Sequence, residues 1–481
     1  MYKLSEEYII KQTCFHITIK SFYILLTFIP FYFICDPQTV NSLAPFWLGG
    51  ICLFTLFSLR KVGLSQVILM PLAWFLLACI TYYGAGPLIY IFGNQEAIAN
   101  IDAFYYVDQV ALWRTNLLNI VSITLIVCFF SLGINFSFLR VFKKKGDIFT
   151  LKKLANIFTI IGALFTLLTF SLRSGLGQGF TMPGIFFVFA KLLLSGIFLY
   201  SLLYFTGLRK VKIPLLLAIG FAGFFAITSL MKQNILELFM VIFFGAFLAG
   251  PSAKKLLIAI CGVLIILPTL TTLVSYARIM TWTEDSSQTS VAALVTAMSD
   301  TDKLSNFKES NENSQGFWGR ICYAPAQAFA MDAYDRGKRG ETFETALWAF
   351  VPRLIYPDKP VITHGEVFTT LVKGAPIGGG SGAGYFGEAY WNMGWFGVFF
   401  MSMVVGILLA ALTQFNIDMV STGNYQFYPV AWMAITVGYR VDDWFVATTV
   451  NSIPIMIVLY IMIKYISKGR NLSSARVVTI D

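Results

Sequence analysis

The chain has 481 residues, of which 57% are apolar, 16% aromatic and 12% charged, and its mean hydropathy is +0.72. An ordinary soluble domain carries about 25% charged residues, so that class is excluded. The surplus of 35 Lys and Arg over 25 Asp and Glu therefore has to be read through membrane topology before any thought of nucleic acid.

Apolar runs broken by charge predict membrane helices near 17–35, 43–59, 66–88, 117–139, 154–172, 184–206, 213–231, 233–250, 256–277, 385–413, 426–440 and 445–463. At about 20 residues per crossing of a ~30 Å core, these make an all-α polytopic membrane protein of about 12 transmembrane helices. The first run has no small-residue cleavage site and ends at Asp36-Pro37 before another span, so it reads as a retained anchor. Lys and Arg alternate in density. They crowd the segments around Lys3, Arg60, Lys143 to Lys145, Arg209, Lys254 and Lys464, whereas the intervening short loops hold only Arg114, Arg173 and Lys232. The positive-inside rule then puts both termini in the cytoplasm. The expected layout is a nine-helix region (1–277), a large outer segment (278–384), three final helices (385–463) and a cytoplasmic tail (464–481). The outer segment is too long to be mere connection, and short helices are expected in it near 316–335 and 341–350. The halves of the chain show no internal repeat, unlike transporters built from duplicated units.

Seven cysteines show no disulfide or zinc spacing, and the two histidines, His16 and His364, lie far apart; no metal and no cofactor is expected. What stands out is cationic. Arg173, Lys232, Arg278, Arg320, Arg353, Lys359, Lys373 and Arg440 all fall on or near the outer face. Such groups suit an anionic ligand, since a guanidinium grips phosphate oxygens through a bidentate fork; the plain alternative is pairing with carboxylates or lipid headgroups. Lys191, in FVFAKLLLSG, lies inside a membrane run. An ionisable group at that depth is a site hypothesis, with Glu237 at similar depth placed to neutralise it.

The stretch FVPRLIYPDKPVITHGEVF brings Arg353, Lys359, His364 and Glu366 into one proline-broken polar turn, where an imidazole suits proton abstraction and ordinary surface is the competing reading. In KGAPIGGGSGAGYFGEAYWNMGWFG, the glycines permit close backbone approach, yet the order of a phosphate-cradling P-loop is missing. Glu388 stands there at the start of a membrane helix as either a base or a cap. Tyr390, Trp391 and Trp395 stack on sugars or belong to an interfacial aromatic belt. Finally, GYRVDDWF sets Arg440, Asp442 and Asp443 at an outer helix junction, to bind ligand or to pair with one another.

These stretches resemble the Wzy-type oligosaccharide repeat-unit polymerases, the O-antigen and enterobacterial-common-antigen polymerase group. The likeness covers most of the chain and is carried by PRLIYPDKP, GEAYWNMGWFG and GYRVDDW. One position departs: Lys232 stands where many relatives have arginine, which keeps the charge and loses the fork. The resemblance implies a GT-C-like glycosyltransferase of the bacterial inner (cytoplasmic) membrane, transferring the glycan from undecaprenyl pyrophosphate to a second lipid-linked repeat unit by metal-independent inversion at the periplasmic face. It implies that Arg173, Lys232, Arg278, Arg353, Lys359 and Arg440 hold the pyrophosphate, with Arg320 and Asp443 accessory, and that His364 or Glu388 deprotonates the attacking hydroxyl. Expected partners are lipid-linked glycans, membrane lipids, a chain-length regulator and a flippase, with no nucleic acid. Two alternatives remain. An O-antigen ligase would pass the glycan to lipid A core, and a lipid-linked oligosaccharide flippase or transporter would need more charge along a central cavity and no such outer segment.

Overall fold

The computed structural model describes residues 2–136, 142, 147–172, 184–282, 296, 299, 305–307, 321–351, 356, 364–375 and 381–468, and among them are helices and turns but no strand. The N-terminal region holds α1 (Tyr2–Ile34) and α2 (Pro37–Leu59), then α3 (Pro71–Phe92), a helical run with a π-turn at Ile80–Ala85. Next come the short α4 (Gln95–Tyr105) and the long α5 (Gln109–Phe136). Four further segments are α6 (Ile148–Ser171), α7 (Phe186–Phe205), α8 (Lys212–Thr228) and α9 (Lys232–Leu248), followed by α10 (Ala253–Trp282). The outer segment contributes α11 (Ala324–Asp335) and α12 (His364–Lys373). The chain then forms α13 (Gly384–Thr422), α14 (Tyr428–Tyr439) and α15 (Asn451–Lys468).

Among the described residues, nine helical runs are long and apolar enough to cross a membrane: those of α1 to α3, α5 to α8, α13, and the run Val446–Ser467 that contains α15. The protein is thus all-helical and polytopic. The other three expected runs are helices too, but outside the nine. α9 has 17 residues and α14 only 12, short of the roughly 20 that a crossing takes; for α10, side chains 264–271 lie outside the described residues.

Starts and stops follow local chemistry. Asp36 caps α2 by accepting from Thr39 N (3.0 Å) and Thr39 Oγ1 (2.6 Å), with Pro37 in the first turn. Asp147 caps α6 through Thr150 N at 3.1 Å. The helix expected to end at 413 runs on to Thr422, because Gly423 in the left-handed region (φ 68°) is what stops it.

In lipid, helices associate through close packing and interhelical hydrogen bonds. At the crossing of α5 and α13 a Cβ on Gly406 would stand 2.7 Å from the Ile126 carbonyl oxygen, so only glycine lets the backbones touch there. Nearby, Asn119 of α5 and Gln327 of α11 exchange amide hydrogen bonds of 3.0 and 2.8 Å while fully enclosed. That exchange draws α11 out of the outer segment and packs it against α5 and α13 with its alanines buried. The expected helical stretches correspond to α11 and to the 3-10 turns at Phe343–Phe350. Of the polar turn expected over FVPRLIYPDKPVITHGEVF, His364 and Glu366 lie instead in the first turn of α12, where Phe368 and Val372 recur at helical spacing and are buried; residues 352–355 and 357–363 lie outside the described residues.

α13 breaks near its outer end. Met393 (φ −144°, ψ 20°) and Gly394 (φ 58°, ψ −145°) leave helical geometry, and a Cβ on Gly394 would lie 2.9 Å from the Tyr334 ring. This conformation is open essentially to glycine alone, and a side chain there costs about 1–3 kcal/mol. We therefore expect Gly394→Ala to lower the melting temperature of detergent-purified protein by several degrees, read by intrinsic fluorescence; an unchanged melt would show that the break is dispensable.

Candidate functional site

The first turns of α13 carry Glu388 into an enclosed polar knot. Its Oε1 accepts from the Thr342 hydroxyl at 2.6 Å and its Oε2 from the backbone N–H of Phe445. Asn392, one turn further along, donates to Thr342 Oγ1 at 2.8 Å and accepts from Phe343 N at 3.1 Å. Thr345 donates to the Thr342 carbonyl at 2.7 Å and lies 3.1 Å from His364 Nε2. The single Thr345 proton is committed to that carbonyl, so Nε2 is the donor and Nδ1 carries the lone pair. The two residues expected to compete as base thus belong to one cluster, joined through the Thr342–Thr345 turn.

Neither is set up as the sequence suggested. Glu388 is 0% exposed, with each oxygen already holding a donor, one of them at the start of the last membrane helix, where the helix dipole favours negative charge. It caps a helix other than its own. Burial lowers His364 to about 4, which keeps the ring neutral at physiological pH and makes it a weak proton acceptor. Phe368 packs edge-on against both Trp391 and Trp444, with ring centroids 5.3 and 5.4 Å apart. Trp391 donates to the Lys338 carbonyl at 2.8 Å, and Tyr390 is buried beside the Arg114–Asp335 ion pair of 2.5 Å. These rings are core, neither sugar platforms nor an interfacial belt, while Trp395 remains exposed.

The turn between α14 and the final membrane run is held from several sides. Val441 O accepts from Tyr83 OH at 2.6 Å and from Tyr385 N at 3.0 Å. Arg440 pairs with Asp443 Oδ2 at 2.5 Å, and Asp443 Oδ1 accepts from Trp444 N at 2.8 Å. Of the two readings for GYRVDDWF, mutual pairing is what these residues do. Asp442 differs: its Oδ1 is enclosed with no hydrogen-bond partner, and burial raises its carboxyl to about 6 against the opposing pull of Arg440.

Arg440 also lines a cavity of about 890 Å³ bounded by residues of α6, α7, α8 and α9. Phe170, Phe187, Phe224 and Phe225 form apolar walls, and Lys191, Gln233 and Glu237 join Arg440 among its polar groups. Glu237 Oε1 receives Gln233 Nε2 at 2.7 Å, Tyr439 OH at 3.3 Å and Lys191 Nζ at 3.4 Å. The expected neutralising pair is present, yet unequally buried: the Lys191 side chain is 49% exposed and that of Glu237 5%. Lys191 answers its carboxylate and still offers its head to the cavity.

Lys232 opens α9, half-buried, in the hairpin whose Met231 and Gln233 line the same cavity. Arg278 of α10 donates to Leu230 O at 2.7 Å. Leu230 adopts φ 49° and packs its side chain on Val274 and Ala277, an uncommon conformation for a bulky residue. Arg278 thereby braces the hairpin that carries Lys232. The expected site residues Arg173, Arg320, Arg353 and Lys359 lie outside the described residues. Thr342, Asn392, Gln233 and Tyr439 carry no sequence signal for their roles, being neutral groups whose partners are far away in the chain. Among the described residues, no three His, Cys, Asp or Glu side chains converge as metal ligands would. In comparisons with known proteins, no family model, no curated protein and no solved structure matches the chain.

Two outcomes test the knot. Glu388→Gln forces an amide N–H₂ against one of two donors, a buried mismatch of about 1–3 kcal/mol, and should lower the melting temperature without changing the helical content; an unchanged melt would remove its anchoring role. The unfolded His364 ring binds a proton near its ordinary value of 6.5 and the folded one only near 4, so the unfolded chain takes up more protons between those values. The stability that His364 supports is whole above pH 6.5 and falls as pH drops toward 4. Melting temperatures at pH 7 and pH ~4.5 should accordingly differ less in His364→Phe than in wild type.

Proposed function

We propose that this protein is a bacterial inner-membrane glycosyltransferase of GT-C-like architecture, with twelve crossings and both termini in the cytoplasm. It joins undecaprenyl-pyrophosphate-linked oligosaccharide repeat units at the periplasmic face, as the resemblance to Wzy-type polymerases implies. The observation that carries the reading is the cavity: phenylalanine walls among membrane helices suit an isoprenoid chain, and Lys191 with Arg440 suits an anionic headgroup. Contact between the two late motifs adds support, since Glu388 of GEAYWNMG accepts from Phe445 of GYRVDDWF.

The chemistry follows from charge. As the glycan is transferred, negative charge gathers on the departing lipid pyrophosphate, and fixed cations stabilise it more in the transition state than in the ground state. Arg440 and Lys191 are the cavity's cations in this role, with Lys232 at the adjoining hairpin. Arg173, Arg353 and Lys359 are proposed to complete the set, and Arg278 to position it. Each charge-assisted contact is worth about 1.5–3 kcal/mol. Glu388 and His364 hold the surrounding turns in place. Chain-length and flippase proteins are the proposed partners.

The test is the length distribution of glycan on lipid A and on the lipid carrier, measured separately in a strain lacking the protein and in complemented strains. Loss of the ladder from both pools, with single units still reaching lipid A, is expected. Arg440→Ala should slow elongation by about 10²–10³ at unchanged protein abundance. A full ladder persisting on the carrier while vanishing from lipid A would make the protein a ligase, and repeat units trapped at the cytoplasmic face would make it a flippase.

A further inference from the structure

Of the three carboxylates packed around the 440–446 turn, two have a hydrogen-bond donor on each oxygen. Both oxygens of Asp443 are engaged, by Arg440 and by Trp444 N, and both oxygens of Glu388 are engaged, by Thr342 and by Phe445 N. Asp442 is the exception. Its Oδ1 is enclosed and unpartnered, while the residue as a whole keeps a partly exposed edge. Tyr82 reaches this carboxyl, but an enclosed oxygen without a donor still destabilises the ionised form, so the group has an unusual appetite for a proton.

Position matters as much. Asp442 is two residues from Arg440, which lines the cavity and acts on Asp442 electrostatically. The turn cannot drift, because Val441 O is fixed by Tyr83 and Tyr385, and Phe445 N by Glu388. A proton acceptor is thus held beside the cation proposed to face the leaving group, the arrangement that general-base catalysis of glycosyl transfer needs.

We propose that the Asp442 carboxylate is the proton acceptor for the attacking sugar hydroxyl. This assignment rests on the lipid-linked glycosyl transfer proposed above. In the step, the hydroxyl proton passes to Asp442 and a lone pair of its oxygen forms the bond to the anomeric carbon of the donor. The bond from that carbon to the pyrophosphate oxygen breaks, its electron pair leaving with the lipid pyrophosphate, whose charge is met by Arg440 and Lys191. The neutral acid then returns its proton to water. The groups facing Asp442 are Arg440 and Asp443 on its own turn, Tyr82 and Tyr83 from α3, Tyr323 just before α11, and Tyr385 from α13. A phenol ordinarily titrates near 10, and burial only raises that value, so the tyrosines stay neutral across pH 5–8 and over that range the carboxylate itself is what changes charge, near the value of about 6 that burial gives it.

The experiment uses the purified full chain in vesicles with lipid-linked repeat units, following polymer formation against pH, and binding of polyprenyl pyrophosphate in parallel. Wild type should gain rate as pH rises through about 6. Asp442→Asn should lose about 10²–10⁴-fold in rate with polyprenyl pyrophosphate binding within about threefold, and Asp442→Glu should recover part of the rate, a split that a purely structural carboxylate would not give. An Asn variant within about tenfold of wild type, with the same pH profile, overturns the assignment. If the Asn variant fails to fold, the wild-type profile decides, and a rate flat from pH 5 to 8 overturns it. Wild type that binds the repeat units and joins none of them would overturn the transfer reading itself, a separate result from the loss of Asp442.

Discussion

The Glu388 carboxylate sits out of solvent contact between the broken outer end of α13 and the start of the final membrane run, taking one hydrogen bond from Thr342 and one from the Phe445 backbone. A buried carboxyl group is tolerated only when its polar atoms are answered. Meeting that demand fixes much else. Thr342 is held by Asn392 and in turn positions Thr345 against His364, so the outer segment is tied to α13. Phe445 is tied to the same carboxylate, which with the Val441 anchors freezes the 440–446 turn and sets Arg440 at the edge of the cavity. A carboxyl enclosed among protein groups thereby helps decide where Arg440 stands.

Charge around the cavity is balanced before any ligand arrives. Arg440 has Asp443, and Lys191 has Glu237, which also accepts from Gln233 and Tyr439. An anion entering there competes with carboxylates for the cations. A doubly charged pyrophosphate can win that competition where a singly charged lipid headgroup gains little. The same balance lets the intramembrane end of the site exist without a ligand, since each ionised group has a partner at a depth where a lone charge would be costly.

Much of the fold was legible. Apolar runs gave the helices because a spanning segment must be long and continuously apolar, and the first helix does end just ahead of Asp36-Pro37. The depth of Lys191 and Glu237 announced their pairing. Other features were not legible, each for a physical reason. The break at Gly394 depends on Tyr334, sixty residues away in the chain; the burial of α11 depends on an amide exchange with Asn119; the apolar run of α14 gives no sign that its helix stops after 12 residues, at Arg440. The catalytic reading of His364 and Glu388 leaned on residue type, whereas burial and hydrogen bonding set what a titratable group can do. Asp442 looked like half of an acidic pair until its partnerless oxygen separated it from Asp443.

The most direct test of the central claim, that the cavity with Lys191 and Arg440 receives the anionic head and isoprenoid chain of a lipid carrier, is photo-crosslinking of a diazirine-bearing polyprenyl pyrophosphate to the protein in nanodiscs, with the labelled residues mapped by mass spectrometry. The account expects labels on Phe170, Phe187, Phe224 and Phe225, competed away by unlabelled polyprenyl pyrophosphate and sharply reduced in Arg440→Ala. Labels confined to the bilayer-facing surface of α1, indifferent to competitor and to the Arg440 substitution, would contradict it.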